Sequence, residues 1–135
     1  MLNKVLLVGR LVQDPVVRVL PSGAGAAEFT VAWERRYRVG EEWKKEVGFF
    51  DCKAYGRLAS RITERTNKGD LVIIEGRLTQ ERWTDKEGKQ ASRIRILVER
   101  MRKIASPALK EPVAEEELGE EGEVGAENGE RSDNT

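Results

Sequence analysis

Two long stretches of this chain, residues 26–55 and 71–104, are patterned with the period of two that a strand imposes, and the segment between them, 57–67, changes to helical spacing. The eight residues Phe49-Phe50-Asp51-Cys52-Lys53-Ala54-Tyr55-Gly56 show the pattern most clearly. Phe50, Cys52 and Ala54 share one side, which is uniformly apolar and is expected to face a core. Phe49, Asp51, Lys53 and Tyr55 share the other, which is polar in its middle and must meet water. That wet side nevertheless carries an aromatic ring at each end. Rings beside a lysine suit a flat, negatively charged ligand such as bases on a phosphate backbone. For this strand alone, rings that merely cover a barrel end are the competing explanation.

The rest of the chain places that strand in order. Residues 3–12 alternate, with Val5, Leu7, Gly9 and Leu11 on one side and Lys4, Leu6, Val8 and Arg10 on the other. Both sides are partly apolar, which suits a strand buried on one side and covered through Leu6 and Val8 by a second subunit on the other. Gln13-Asp14-Pro15 breaks this strand, residues 16–20 are strand-like again, and Pro21-Ser22-Gly23 makes a turn. A strand from about Ala26 to Val39 puts Phe29 and Val31 on one face, continued outward by Trp33, Arg35 and Tyr37. It is longer than an ordinary strand. The hairpin it forms is therefore expected to project past the core as a basic arm carrying Arg35, Arg36, Tyr37, Arg38, Trp43, Lys44 and Lys45. A merely solvated hairpin would account for the cations but not for Tyr37 and Trp43 among them.

Gly56 opens the one convincing helix, 57–67, with Leu58, Ala59, Ile62 and Thr66 as its apolar stripe, Arg57, Arg61 and Arg65 on another side, and Lys68-Gly69 as its stop. Its expected role is to plug a barrel. Residues 71–84 then place Val72, Ile74, Gly76 and Leu78 toward the core. Leu71, Ile73, Glu75, Arg77, Thr79, Glu81 and Trp83 point outward, with Arg82 close to the terminal ring. Asp85-Lys86-Glu87-Gly88-Lys89 is a hairpin turn, and a last strand from about Gln90 to Ile104 points Ile94, Ile96 and Val98 inward and Arg93, Arg95 and Glu99 outward. The chain thus reads as all-β with one short helix. Three strands, a helix and two strands match an OB-fold, a five-stranded Greek-key barrel with its helix between strands 3 and 4. A different small β-barrel capped by a helix is the alternative.

Charge divides the chain. Residues 1–105 hold 22 Lys and Arg against 14 Asp and Glu, a net of +8, while 106–135 hold 2 against 10, a net of −8. The second stretch is rich in Glu, Gly and Ala, interrupted by Pro107 and Pro112, and has no aromatic residue. It cannot repay the entropy of ordering, so the expected organisation is one domain over 1–105 and a disordered acidic tail over 106–135. The sequence contains no histidine and a single cysteine, Cys52, which removes the usual general base, Ser-His and Cys-His pairs, internal disulfides and multi-cysteine metal sites. No glycine-rich phosphate loop is present. The chain reads as a binding protein rather than an enzyme, with no cofactor or metal, no membrane span and no signal-peptide pattern, which points to the cytoplasm.

Several stretches together resemble the bacterial single-stranded-DNA-binding proteins. They are Asn3-Lys4-Val5-Leu6-Leu7-Val8-Gly9-Arg10-Leu11 with Gln13-Asp14-Pro15 and Val17-Arg18, then Phe29-Thr30-Val31-Ala32, Lys68-Gly69, Ile74-Glu75-Gly76-Arg77-Leu78 and Arg82-Trp83-Thr84-Asp85. They cover essentially all of residues 1–104 in the family's order. The resemblance implies an OB-fold homotetramer, nucleoid-associated, that coats and protects single-stranded DNA without reading its sequence during replication, recombination and repair. The family's four base-stacking positions fall on Tyr37, Phe49, Tyr55 and Trp83, with Trp33 and Trp43 as additional stacking candidates. Lys4, Arg10, Arg35, Lys53, Arg57, Arg77 and Arg82 are the candidates for contacting phosphate or supporting the rings. The family usually ends in an acidic tip closing on Ile-Pro-Phe that docks replication and repair partners. Residues 130–135 read Glu-Arg-Ser-Asp-Asn-Thr, so recruitment through the tail would need another sequence. An RNA-binding OB domain and an adaptor that uses its rings for protein contacts are the competing classes. Comparing binding of single-stranded DNA, of RNA and of no nucleic acid at all separates the three classes. Asp51, an acid in the middle of the ring-bearing face, has no explanation at this level.

Overall fold

The computed structural model describes residues 1–107, so the tail expected over 106–135 lies almost entirely outside the described residues. The elements run β1 (Val5–Leu11), β2 (Val16–Val19), β3 (Gly25–Val39), β4 (Glu42–Tyr55), α1 (Gly56–Arg65), β5 (Leu71–Thr84) and β6 (Gln90–Ala105). Hydrogen-bonded neighbours follow the order β1-β5-β6-β4-β3-β2, and β1 also pairs with β3. That extra pairing, Arg10 opposite Ala32 and Leu11 opposite Val31, closes five strands into a barrel. β2 is a short edge strand laid along β3. The OB-fold expected from element order is thus the fold observed, with α1 between β4 and β5.

The core follows from the alternation. Leu11, Ala27, Phe29, Val31, Cys52, Ala54, Val72, Ile74, Ile96 and Val98 fill the barrel, and Ala59 and Ile62 of α1 close its end. Burial, and to a lesser degree the nearby Asp51 carboxylate, pushes the Cys52 thiol up to about 12, so it packs as a small apolar group. Gly56, at φ +65°, lets the chain turn from β4 straight into the helix. The helix ends at Arg65, two residues short of the expected stop, because Thr66 turns extended and bonds the Ile62 carbonyl with both its amide (3.1 Å) and its hydroxyl (2.7 Å). No helix among the described residues is long and apolar enough to cross a membrane.

Three residues expected on the core face are not in the core. Phe50, Leu78 and Ile94 have the right parity but are exposed, Ile94 by 58%. The β3–β4 and β5–β6 ribbons outrun the barrel, so their inner faces continue past its mouth into solvent. Strand parity gives the side of a ribbon, not the point where the barrel stops covering it. A bulge supplies a second departure. Gly76 pairs with Val98 but Glu75 pairs with Arg100, which leaves Glu99 as the extra residue. Past it the inward parity of β6 switches, and Met101 rather than an even-numbered residue packs against the core.

Closure of the barrel depends on Gly9. A Cβ at that position would collide with the Ala32 carbonyl oxygen and lie 2.6 Å from Val31 Cγ1, where β1 crosses onto β3. Gly9→Ala is therefore expected to destabilise the fold by about 1–3 kcal/mol, measured by urea denaturation, through overpacking. Gly25→Ala, whose Cβ would meet open space, is the control and is expected to stay within about 0.5 kcal/mol of the parent.

Candidate nucleic-acid interface

β6 lies between β4, to which it is parallel, and β5, to which it is antiparallel. Their outward side chains form one continuous face. β4 contributes Phe49, Asp51, Lys53 and Tyr55, β6 contributes Arg93 and Arg95, β5 contributes Thr79, Glu81 and Trp83, and Glu28 and Thr30 join from β3. Because β4 and β5 run in opposite directions, Tyr55 and Trp83 stand toward opposite ends of the charged middle. Both rings are open to solvent, at 41% and 45%. Phe49 is half-buried. Three of the four proposed stacking rings are therefore brought to one face.

The fourth is not. In the β3–β4 register Tyr37 pairs with Lys44 and shares its side of the ribbon with Trp33 and Arg35, opposite the side of Phe49. The Arg35 guanidinium sits 4.8 Å above the Tyr37 ring and also pairs with Glu46 at 2.9 Å. Trp43 is on the Phe49 side, far out on the arm, with Arg38 stacked 5.7 Å from its centroid. Lys53 lies 5.3 Å from the Tyr55 ring. Arg82 points to the other side of its ribbon from Trp83 and donates to the Gln80 side-chain oxygen at 3.0 Å. Arg57 is exposed at the start of α1, two residues after Tyr55. Arg77 shares the outward side of β5 with Glu81 and Trp83 and stands across Leu97 from Lys53, whereas Lys4 and Arg10 lie beside and on β1, another part of the wall. Lys4 pairs with Glu75 (2.5 Å), Arg10 donates to the Gly69 carbonyl (2.8 Å), and Arg77 pairs with Glu99 (3.4 Å).

Asp51 finds its reason here: it accepts a hydrogen bond from the Thr30 hydroxyl of the adjoining strand at 3.0 Å, which stitches β4 to β3 on the wet side. The residue that sequence reasoning missed is Arg95. It points outward as expected, yet it is only 6% exposed. Its guanidinium forks onto Glu81, with Nη2 at 3.0 Å from Oε2 and Nε at 3.2 Å from both carboxylate oxygens, and reaches Glu28 with Nη1 at 3.3 Å. Glu81 is further held by Lys53 at 3.4 Å and Arg93 at 3.3 Å. Partial burial works to raise the Glu81 carboxyl. Hydrogen bonds from Arg95 and Arg93 and attraction to Arg95 and Lys53 outweigh it and hold the group at about 2. Glu28 is likewise held below its ordinary value, burial being overcome by Arg18 and Arg95. One signal for part of this network was present in the sequence. A hairpin turning at Asp85–Lys89 puts Glu81 opposite Arg93.

The model of the single-strand binding protein family matches residues 2–104. The chain belongs to that family. A single-stranded DNA-binding protein of Aquifex aeolicus (strain VF5) is 51% identical over 118 residues, covering 87% of this chain and 80% of the relative. One from Helicobacter pylori (strain ATCC 700392 / 26695) is 43% identical over 94 residues, 69% of this chain. The chain spans only 52% of the Helicobacter pylori relative's length. Among solved structures, the Plasmodium falciparum SSB complex with ssDNA shares the fold at a TM-score of 0.70 and 22% identity, over 77% of this chain and 96% of that one.

The Glu81 network makes stability depend on acid. A carboxyl with an ordinary value of 4.5 that is held at about 2 in the folded chain is protonated first in the unfolded chain as pH falls. Its contribution is full above about 4.5 and is lost progressively down toward 2. Thermal melts between pH 6 and pH 2.5 are expected to show stability declining through this window, and Glu81→Gln is expected to make the decline shallower. An unchanged profile would remove Glu81 as its source.

Proposed function

We propose that this member of the single-strand binding protein family binds single-stranded DNA without reading its sequence, coating strands exposed in replication, recombination and repair. One observation carries the reading: Tyr55, Phe49 and Trp83 stand on a single face with Lys53, Arg93 and Arg95 between them. Every base has a π-face, so a ring platform accepts any sequence, each stacked base contributing about 1–3 kcal/mol. Lys53, with Arg77 across Leu97 from it and Arg57 at the margin, is assigned to phosphate, where displaced counterions make affinity fall with salt. Arg82, on the other side of its ribbon, meets phosphate only if the strand wraps the β5–β6 arm. Tyr37 and Trp33 join only if the strand passes from one face of the β3–β4 ribbon to the other. Lys4 and Arg10 are given no phosphate role in this scheme.

The expected result is tight, salt-sensitive binding of oligo-dT and weak binding of duplex, read by fluorescence anisotropy. Tyr55→Ala and Trp83→Ala are each expected to weaken dT binding about tenfold with the fold intact, and unchanged affinity in both would remove the stacking assignment.

The same reading includes self-association. Leu6, 69% exposed, stands with Val8 and Ile73 on the outer wall of β1 and β5 as an apolar strip that a second copy of the chain would cover, in the homotetramer the family resemblance implies. Native mass measurement is expected to find four times the 15.2 kDa chain, and Leu6→Lys with Val8→Lys a lower multiple. A monomeric parent would overturn the assignment.

A further inference from the structure

Ion pairs on the ring-bearing face form one connected series. Arg18 pairs with Glu28 at 2.8 Å, Glu28 with Arg95 at 3.3 Å, Arg95 with Glu81 at 3.0 Å, and Glu81 with both Lys53 at 3.4 Å and Arg93 at 3.3 Å. Two carboxylates thus serve four cations drawn from β2, β4 and β6. The cations differ in access. Arg95 is buried between its two carboxylates, whereas the side chains of Lys53 and Arg93 are 19% and 47% exposed. Lys53 lies two residues from Tyr55 on β4, and Glu81 two residues from Trp83 on β5, so a strand stacked on both rings passes over them.

We propose that Glu81 is a built-in counterion that occupies Lys53 and Arg93 until a nucleic-acid phosphate displaces it, keeping affinity and salt dependence below what the cations of this face alone would produce. The inference rests on the single-strand-binding reading above. The geometry allows displacement without stranding a charge. When phosphate takes Lys53 and Arg93, Glu81 keeps its forked contact with Arg95, and Arg95 keeps Glu28. Arg95 is then a positioning residue: it holds the carboxylate within reach of the half-buried Lys53 and the exposed Arg93 and is itself too buried to meet phosphate. The two competitors are of one chemical kind, since a carboxylate and a phosphate oxygen accept the same charge-assisted hydrogen bonds from an ammonium or guanidinium group. A cation that shares its charge with an attached carboxylate neutralises less of a phosphate, and the slope of log affinity against log salt falls accordingly.

The test compares the full chain, Glu81→Gln and Glu64→Gln for binding of labelled oligo-dT across a salt series. Glu64 is an exposed acid on α1 rather than on the strands of this face, and both variants change net charge equally. Glu81→Gln is expected to bind about tenfold tighter at 0.1 M salt. Its salt slope is expected to steepen by about 1.4, from two freed contacts at roughly 0.7 each on a single strand. Glu64→Gln is expected to stay within about twofold of the parent, because it removes the same charge without freeing Lys53 or Arg93, and an exposed charge is screened by salt. Equal behaviour of the two variants, or weaker binding by a natively folded Glu81→Gln, overturns the proposal. If Glu81→Gln does not fold, Arg93→Gln carries the test. An already occupied Arg93 is expected to leave the slope nearly unchanged on removal, and loss of the full ~0.7 of a free contact overturns the proposal. A parent chain that binds no dT at any salt rejects the single-strand-binding reading itself, and this inference with it.

Discussion

Everything in this structure depends on β1 being hydrogen-bonded along both edges. On one side it runs antiparallel to β5 from Val5–Gly76 to Arg10–Leu71, and on the other its last two residues reach Ala32 and Val31 of β3. Without the second contact the sheet would be an open ribbon with two edges. With it, the inner faces of five strands meet around Leu11, Val31, Val72 and Ile74, all nearly inaccessible to water. The bond is possible because Gly9 has no side chain where β1 meets the β3 backbone. The same device recurs at Gly76, where a Cβ would collide with the Leu97 carbonyl beside the bulge that turns β6 around the barrel.

Closing a barrel from strands of 14 to 16 residues leaves material over. The β3–β4 and β5–β6 ribbons project past the mouth, and the ring-bearing face is partly theirs. A ribbon in water cannot be held by a core, and here the holding is ionic and aromatic. Guanidinium and ammonium groups lie over Tyr37, Trp43 and Tyr55, and Glu81 draws β5, β6 and β4 together through Arg95, Arg93 and Lys53. Each exposed pair is worth little alone. Arg95 differs because it is buried, and removing either carboxylate would leave its charge with one partner instead of two.

This arrangement gives the face a dual character. Its cations are already engaged by carboxylates or rings, while two of its rings stand open. The charge that would otherwise make the face purely cationic is balanced locally by Glu28 and Glu81.

The local features were legible from the residues: strand order, the helix after Gly56, the hairpin turn at Asp85–Lys89, and the division of Phe49, Lys53 and Tyr55 from Cys52 and Ala54. All depend on neighbours in the chain, where a period of two or 3.6 and a turn signal are enough. The end of the barrel was not legible, because Ile94 and Ile96 are alike in sequence and only the distance to the facing strands separates an exposed residue from a core one. Nor was the bulge at Glu99, which leaves the sequence pattern unmarked. On the candidate interface, ring positions were legible by parity and by resemblance, but Tyr37 falls on the far side of its ribbon and Arg95 turns out buried. The sequence by itself determined which residues could form strands, which side of each strand was apolar and where aromatic rings met water. Only the tertiary structure decided which charges share a site, because Glu28, Lys53, Glu81 and Arg95 come from four strands and meet because β6 pairs between β4 and β5, which no spacing along the chain reveals.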